Sequence, residues 1–495
     1  MKLLGPPGSM RDTVRTRLQG LFSTTPRSSQ DNEDAVGLLS EKAQPTPLAT
    51  CRAVLRNINH KLTIAFALLG ALLLLFALAY SSKLKNRRAV GALPPLVEDH
   101  YLHIITFAQP TYSELCRTVF ASTVLGYPVP YVTIPKTATE GEQFESESAL
   151  NRMQSILEVL ERIPQANDTA LIIGNPSTWF QVRPDVLLRR YLNSQNSHAQ
   201  KLLRTFGNET LVTHGIDSKV LFASSKVCES VASSKKGCFP LQLDDGSQLQ
   251  LSHDFSIGQV KYLRPIYQHA AEQANELARN NITFDEHSIF GDLLQKQETY
   301  RQSLTGSTAP EDETHHNEDE FGISLDNSDE LRYLEEGRGD IPTWTTHGDD
   351  KAVKANLPAD IAKSVPPYWT VFQTLENRSW AEVPLLVHEE KVPALIQLGK
   401  GAAPSLKTTS YEKLWFHPHA RELFNSEALI ATSPPVSLID PKTGIQQRFW
   451  TRPYDKIGVK TADEHFFPWV EVCNDRQVAE DVFMDGKGPW QDSRP

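Results

Sequence analysis

Residues 62–80, LTIAFALLGALLLLFALAY, form an unbroken run without a charge, and Thr63 is its one clearly polar side chain. As an α-helix the run is about 28 Å long, close to the roughly 30 Å of a bilayer hydrocarbon core. It starts too deep in the chain and runs too long for a cleaved signal peptide. A single transmembrane helix is expected, dividing a tail (1–61) from a body.

Charge is best read on each side of that run. The whole chain has 50 Lys+Arg against 60 Asp+Glu, net −10. The tail is net +4, Lys83, Lys85, Arg87 and Arg88 follow the run, and 89–495 holds −18. An acidic body argues against nucleic acid as a partner, because phosphate neutralisation needs clustered Lys and Arg. Bases flank both ends of the run, so the positive-inside bias does not fix its orientation. The sequons favour one side: Asn167, Asn208, Asn281 and Asn377 all lie beyond the run, none before it. Cys116, Cys228, Cys238 and Cys473 are an even set on that side, and Cys51 stands alone on the other. Cys228 and Cys238 bracket a short Ser/Lys/Gly-rich loop that a disulfide would staple; the alternative is free thiols. The expectation is a type II protein of the ER or Golgi membrane, body lumenal, since a short span suits thinner bilayers.

The tail is rich in Ser, Thr, Pro, Gln and Arg without apolar period and reads as a disordered cytosolic segment. Arg11, Arg15 and Arg17 beside Leu18, Leu21 and Phe22 would make a membrane-facing turn, or simply a solvated stretch. Cys51 is a candidate for palmitoylation. After a stem (81–97), apolar strands alternate with amphipathic helices. Strands are read at 101–108, 129–134, 169–173 and 219–223, and helices at 111–125, 146–163 and 184–192. That alternation implies an α/β fold with a mostly parallel sheet, whose ligands bind beyond the carboxyl ends of strands. The informative turns therefore follow Ala108, Ile173 and Ala223. Further helices are expected at 264–280 and 285–300, and a strand at 392–398. The segment 309–320 carries six acids with His315 and His316, and reads as a solvated loop rather than a metal site. Residues 342–380 read as loop-rich, and 426–495 as an extended, proline-containing extension.

The segment from Asn175 to Tyr191, Asn-x-x-Thr-Trp-Phe-Gln-x-x-Pro-x-x-Leu-x-x-Arg-Tyr, resembles the glycosyltransferase domain of procollagen lysyl hydroxylases. It resembles fungal secretory relatives of that domain still more. KVLFASSKVC (219–228), the segment 285–290, FGISLD (321–326) and VPALIQLGK (392–400) extend the likeness over roughly 100–425. The resemblance implies a nucleotide-sugar-binding domain of the GT-A type over 98–425. It also implies a divalent cation held by two aspartates after the third strand and a late histidine. The matching positions are Gly174, Ser177 and Gln397, and none carries the expected ligand. Other matching positions are Asp285 and Glu286 near sugar and acceptor, and Asp254, Ser256 and Gly258 in a donor-framing turn. His287 is a candidate general base. Lys261 and Arg264 are candidates to neutralise a diphosphate in the cation's place. Plainer readings exist: Asp285 and Glu286 charge a helix's first turn, His287 is a surface residue, and Trp179 and Phe180 pack rather than stack on a donor.

Two functions follow. One is a secretory-pathway glycosyltransferase that moves sugar from a nucleotide sugar to a lumenal glycan or protein acceptor. The other is a non-catalytic relative serving as a binding subunit, for example of a partner glycosyltransferase. A hydrolase has no support, since neither a G-x-S-x-G elbow nor an HExxH helix is present.

Overall fold

The computed structural model describes residues 97–107, 112–133, 144–175, 177–225, 241–242, 248–305, 317–326, 328–335, 343–347, 359–362, 383–387, 392–398, 411–428, 433–451 and 456–491. Met1–Gly91 and Ala92–Pro495 are separate units, and every described residue belongs to the second. The apolar run 62–80, Cys51, Cys228, Cys238, Asn377, His315 and His316 lie outside the described residues. Among the described residues, no helix is long and apolar enough to cross a membrane.

The first half of the body alternates as expected. β1 (Val97–Phe107) leads through α1 (Tyr112–Val124) to β2 (Tyr131–Thr133). α2 (Phe144–Arg162) then leads to β3 (Thr169–Ile173), followed by β4 (Thr178–Phe180) and α3 (Pro184–His214). α3 runs far beyond residue 192, where its apolar spacing stops. Its distal half is mostly solvated, bends at Gly207 (φ 76°), and ends on a left-handed Gly215. Next come β5 (Val220–Ser225), β6 (Leu241–Gln242) and β7 (Gln248–Gln259), then α4 (Val260–Arg279), α5 (Glu286–Leu304) and β8 (Ile323–Asp326). β9 (Arg332–Glu335) and β12 (Leu395–Leu398) flank the pair β10 (Thr343–His347) and β11 (Val383–Val387).

The segment 426–495 is not an extended appendage. It supplies β13 (Val436–Ile439), β14 (Gln446–Trp450), β15 (Gly458–Lys460) and β16 (Phe466–Pro468) to the central sheet. That sheet runs β16-β15-β2-β1-β3-β7-β5-β8, with β14 also on β1. β7, β13 and β16 run against the other strands, so the sheet is mixed but mostly parallel. The short strands at its rim, broken by prolines, have too little period to be read from sequence. Helices α6 (Ala420–Ala428), α7 (Trp469–Val472) and α8 (Arg476–Phe483), with short helical turns at Asn317–Asp319, Ala359–Ala362 and His417–His419, complete the described elements.

Two cores flank the sheet. One holds Val119 and Phe120 of α1, Leu187 of α3 and the C-terminal aromatics; the other holds Met153 and Leu160 of α2 with Tyr267 and Phe290. Phe120 meets Phe416, Phe424 and Phe483 at 5.5–5.8 Å. A disulfide joins Cys116 of α1 to Cys473 just after α7, closing a sequence separation of 357. The C-terminal segment is thus covalently and apolarly part of the domain.

His417 sits edge-on to Tyr411 at 4.9 Å, and burial pushes its imidazole down to about 4 from 6.5. The unfolded chain takes up that proton first, so stability is full above pH 6.5 and falls as pH drops toward 4. The loss is on the order of 3 kcal/mol. Denaturant titrations at pH 4.5 and 7 should show it, and His417→Gln should flatten the difference.

Candidate functional site

Strand order reverses at β1. The chain goes to β2 by way of α1 on one face, then back across β1 to β3 by way of α2 on the other. Such a reversal opens a crevice at the carboxyl ends of the two inner strands, here β1 and β3.

At the end of β3, β7 lies antiparallel, with Ile173 opposite Phe255 and Ile172 opposite Ser256. The Gly174 N–H donates to the Asp254 carbonyl at 2.8 Å. A Cβ at 174 would stand 2.9 Å from Asp254 Cα and 3.1 Å from its Oδ1. Glycine is therefore required here by the backbone of β7, and an aspartate has no room. The SHDFSIG segment is part of this long strand, not a turn. Its register against β5 jumps, since Phe222 faces Ser256 while Ala223 faces Ser252. His253, Asp254 and Phe255 are thus bulged out of that ladder, a device that re-aims side chains at sites. The carboxylate beside position 174 is that of Asp254, from the neighbouring strand.

A small sheet, β4-β12-β9, closes over it. Gln397 of β12 donates its amide to Asp254 Oδ2 at 3.0 Å and accepts from Arg332 Nη1 at 2.5 Å. All three side chains are almost fully buried. On the other flank, His253 Nε2 lies 3.3 Å from Asp254 Oδ1, and His253 Nδ1 faces His287 Nδ1 at 2.7 Å. One of those two nitrogens donates and the other accepts, so the bond cannot stand with both rings doubly protonated. Glu286, beside His287 at the start of α5, is clasped by the Nε and Nη2 of Arg152. His287 is 3 % exposed, so it is not a surface residue. Asp285 is an N-cap: its carboxylate accepts from Ser288 N–H at 2.7 Å in a capping box. That structural duty separates it from Glu286.

Ser177 is buried and donates its hydroxyl to Glu114 in the first turn of α1, while its N–H donates to Asn175 Oδ1 at 2.9 Å. The second position lacking a ligand is therefore also met by a carboxylate from elsewhere. Asp254 could be found in the sequence only as a member of SHDFSIG, and Glu114 only as a first-turn acid; Arg152 and Arg332 carried no signal.

The remaining candidates lie elsewhere. Ser256 Oγ is 3.4 Å from Tyr267 OH inside the α2/α4 core, and Gly258 lies against Val220. Lys261 reaches Asn167, and Arg264 reaches the carbonyls of Leu160 and Ile163. Both cations stand at the amino end of β3, the wrong end for a diphosphate in the crevice. Trp179 and Phe180 pack, against Tyr411 (5.3 Å) and Tyr127 (4.1 Å).

A divalent cation does not fit this donor set. Gly174 offers no ligand, and Ser177 gives its proton to Glu114. Gln397 turns its nitrogen to Asp254 and its oxygen to a guanidinium. Among the described residues, no group of three or more His, Cys, Asp or Glu side chains is arranged to hold a metal ion.

No family model matches the chain, and no curated protein matches it. Among solved structures it is similar to a glycosyltransferase involved in the glycosylation of the major capsid of PBCV-1. Identity is 10 %, with 63 % of this chain and 98 % of that chain covered, at a TM-score of 0.26.

Proposed function

We propose that 92–495 is a glycosyltransferase-like domain that binds a nucleotide sugar at the crevice between β1 and β3. The carrying observation is the bulge in β7, which delivers His253 and Asp254 to the end of β3 beside His287 and Glu286. In transfer, an acceptor hydroxyl attacks the anomeric carbon, the bond to the diphosphate breaks, and the hydroxyl proton leaves to a base. The His253–His287 pair is that base. The leaving diphosphate's charge is met by Arg332 and Arg152 rather than by a metal ion. The non-catalytic reading has its own support: the acids at this end are already held, Glu286 by Arg152 and Asp254 by Gln397. Such a domain would bind donor, acceptor or a partner glycosyltransferase without turnover.

The full-length protein in detergent, titrated with a panel of UDP- and GDP-sugars in EDTA and in Mn²⁺, tests this. Binding of at least one in EDTA, unchanged by Mn²⁺, is expected, with stabilisation of about 2.7 kcal/mol at a hundredfold excess over Kd. Silence across the panel sinks the reading, and Mn²⁺-dependent binding sinks the metal-free site. Binding without sugar transfer or donor hydrolysis selects the non-catalytic form.

The same proposal places the body in the ER or Golgi lumen behind a type II anchor at 62–80. It is supported by a buried disulfide, which needs an oxidising compartment. The sequons at Asn167, Asn208 and Asn281 also have exposed asparagines. Glycosidase treatment of protein made in cells should raise its gel mobility; unchanged mobility overturns the lumenal placement.

A further inference from the structure

A cavity of about 490 Å³ lies at the amino ends of β2 and β3. β3 is five residues long, so at about 3.3 Å per residue this cavity is roughly 16 Å from the crevice. Its origin is visible along β1. Tyr101, His103, Ile105 and Phe107 point to one face, and α2 covers Ile105 and Phe107 but ends before it covers the other two. Tyr101 is left 37 % exposed and the His103 side chain 17 %. The loop after Arg162, with Pro164 and Gln165, forms one wall, and Pro128 and Tyr131 form another.

The charged groups on this lining, and His103, are matched in pairs. Buried Asp168 accepts from the Tyr101 N–H at 2.9 Å and holds His103 Nε2 at 2.9 Å. Lys460 Nζ is 3.1 Å from Glu464 Oε2 and 5.3 Å from the centre of the Tyr131 ring, whose hydroxyl donates to Glu464. Arg162 pairs with Glu158 at 2.6 Å. Each cation has its own carboxylate, so the cavity presents no surplus positive field to attract a phosphate or sulfate. It presents instead fixed donors and acceptors side by side, next to an exposed phenol ring. A neutral pyranose has the complementary chemistry: a ring of hydroxyls that both donate and accept, and an apolar C–H face that lies on an aromatic ring.

We propose that this cavity is a binding site for neutral glycan, with Tyr101 as the stacking platform and the Asp168-held His103 as a directional hydrogen-bonding group. The site is separate from the crevice, and the inference does not rest on the nucleotide-sugar reading. A domain with both would hold a glycan at one end of its sheet while the opposite end is free.

The test uses full-length protein in detergent and calorimetry with mannobiose, galactobiose, cellobiose and N,N′-diacetylchitobiose, against a heparin-derived sulfated disaccharide. At least one neutral disaccharide should bind with a Kd below about 1 mM, and the sulfated one should not. Tyr101→Ala should weaken that binding about tenfold at an unchanged Tm, because the ring is partly exposed. His103→Gln keeps an amide against Asp168 and should also weaken it, while affinity for any nucleotide sugar stays unchanged in both variants. The proposal is overturned if no neutral disaccharide binds, if only the sulfated one binds, or if neither variant changes the affinity.

Discussion

Replacing Cys116 and Cys473 together by alanine should remove about 6 kcal/mol of stability, the chain-entropy value for a loop closed over 357 residues. A folded domain commonly has only about 5–15 kcal/mol in hand, so the variant should be largely unfolded or melt far below the parent. Both sulfurs are fully buried, and the bridge pins α7 against α1. Ser113 and Arg117 of α1 also hold Asp481 of α8, by its carboxylate at 2.6 Å and its carbonyl at 3.0 Å. Those contacts and the Phe120–Phe483 packing survive the substitution, so a compact but loosened state is the expected remainder. Thermal melts of parent and variant, with the parent run again in a reductant, give the comparison. A drop of only a degree or two would mean that the C-terminal segment docks without the bridge.

The second large effect is expected at Asp254. Asp254→Ala removes the acceptor of a buried Gln397 amide, whose own oxygen accepts from Arg332. Loss of roughly 1–3 kcal/mol follows from an orphaned buried donor of this kind. Asp254→Asn separates structure from function. Its amide oxygen still accepts from Gln397, so Tm should move little, but the charge beside His253 is gone. Nucleotide-sugar affinity, or transfer if the enzyme is active, should then fall about thirtyfold or more. An Asn variant with parental affinity would show that Asp254 is only a structural acceptor.

Much of the fold could be read from residue spacing. Leu150, Met153, Ile156, Leu157 and Leu160 mark α2, and TALII is β3, whereas Asp285, read as a first-turn acid of α5, is its N-cap. The site was legible in part. Gly174, Ser177 and Gln397 stand out as positions without a metal ligand, and Gln397 and Gly174 do meet at Asp254. Lys261 and Arg264 were misleading because β7 runs antiparallel to β3. Residues following β7 are carried to the amino end of the sheet, away from the crevice. Glu114 and Asp254 come from α1 and β7, separated by well over a hundred residues, and no local pattern relates them. The same distance hid the pairing of Cys116 with Cys473.

The sequence alone determined the alternation of strand and helix, the charge-free run at 62–80, and the presence of Gly, Ser and Gln at 174, 177 and 397, where the resemblance implies metal ligands. These are local properties, set by side-chain type and period. The tertiary structure alone decided what surrounds those three residues. A strand reversal sets Asp254 against Gly174, a small sheet brings Gln397 and Arg332 over it, and a C-terminal segment with little period of its own completes the main sheet. Each depends on strand register and direction. Those are settled by which faces bury together, and no window of neighbouring residues encodes them.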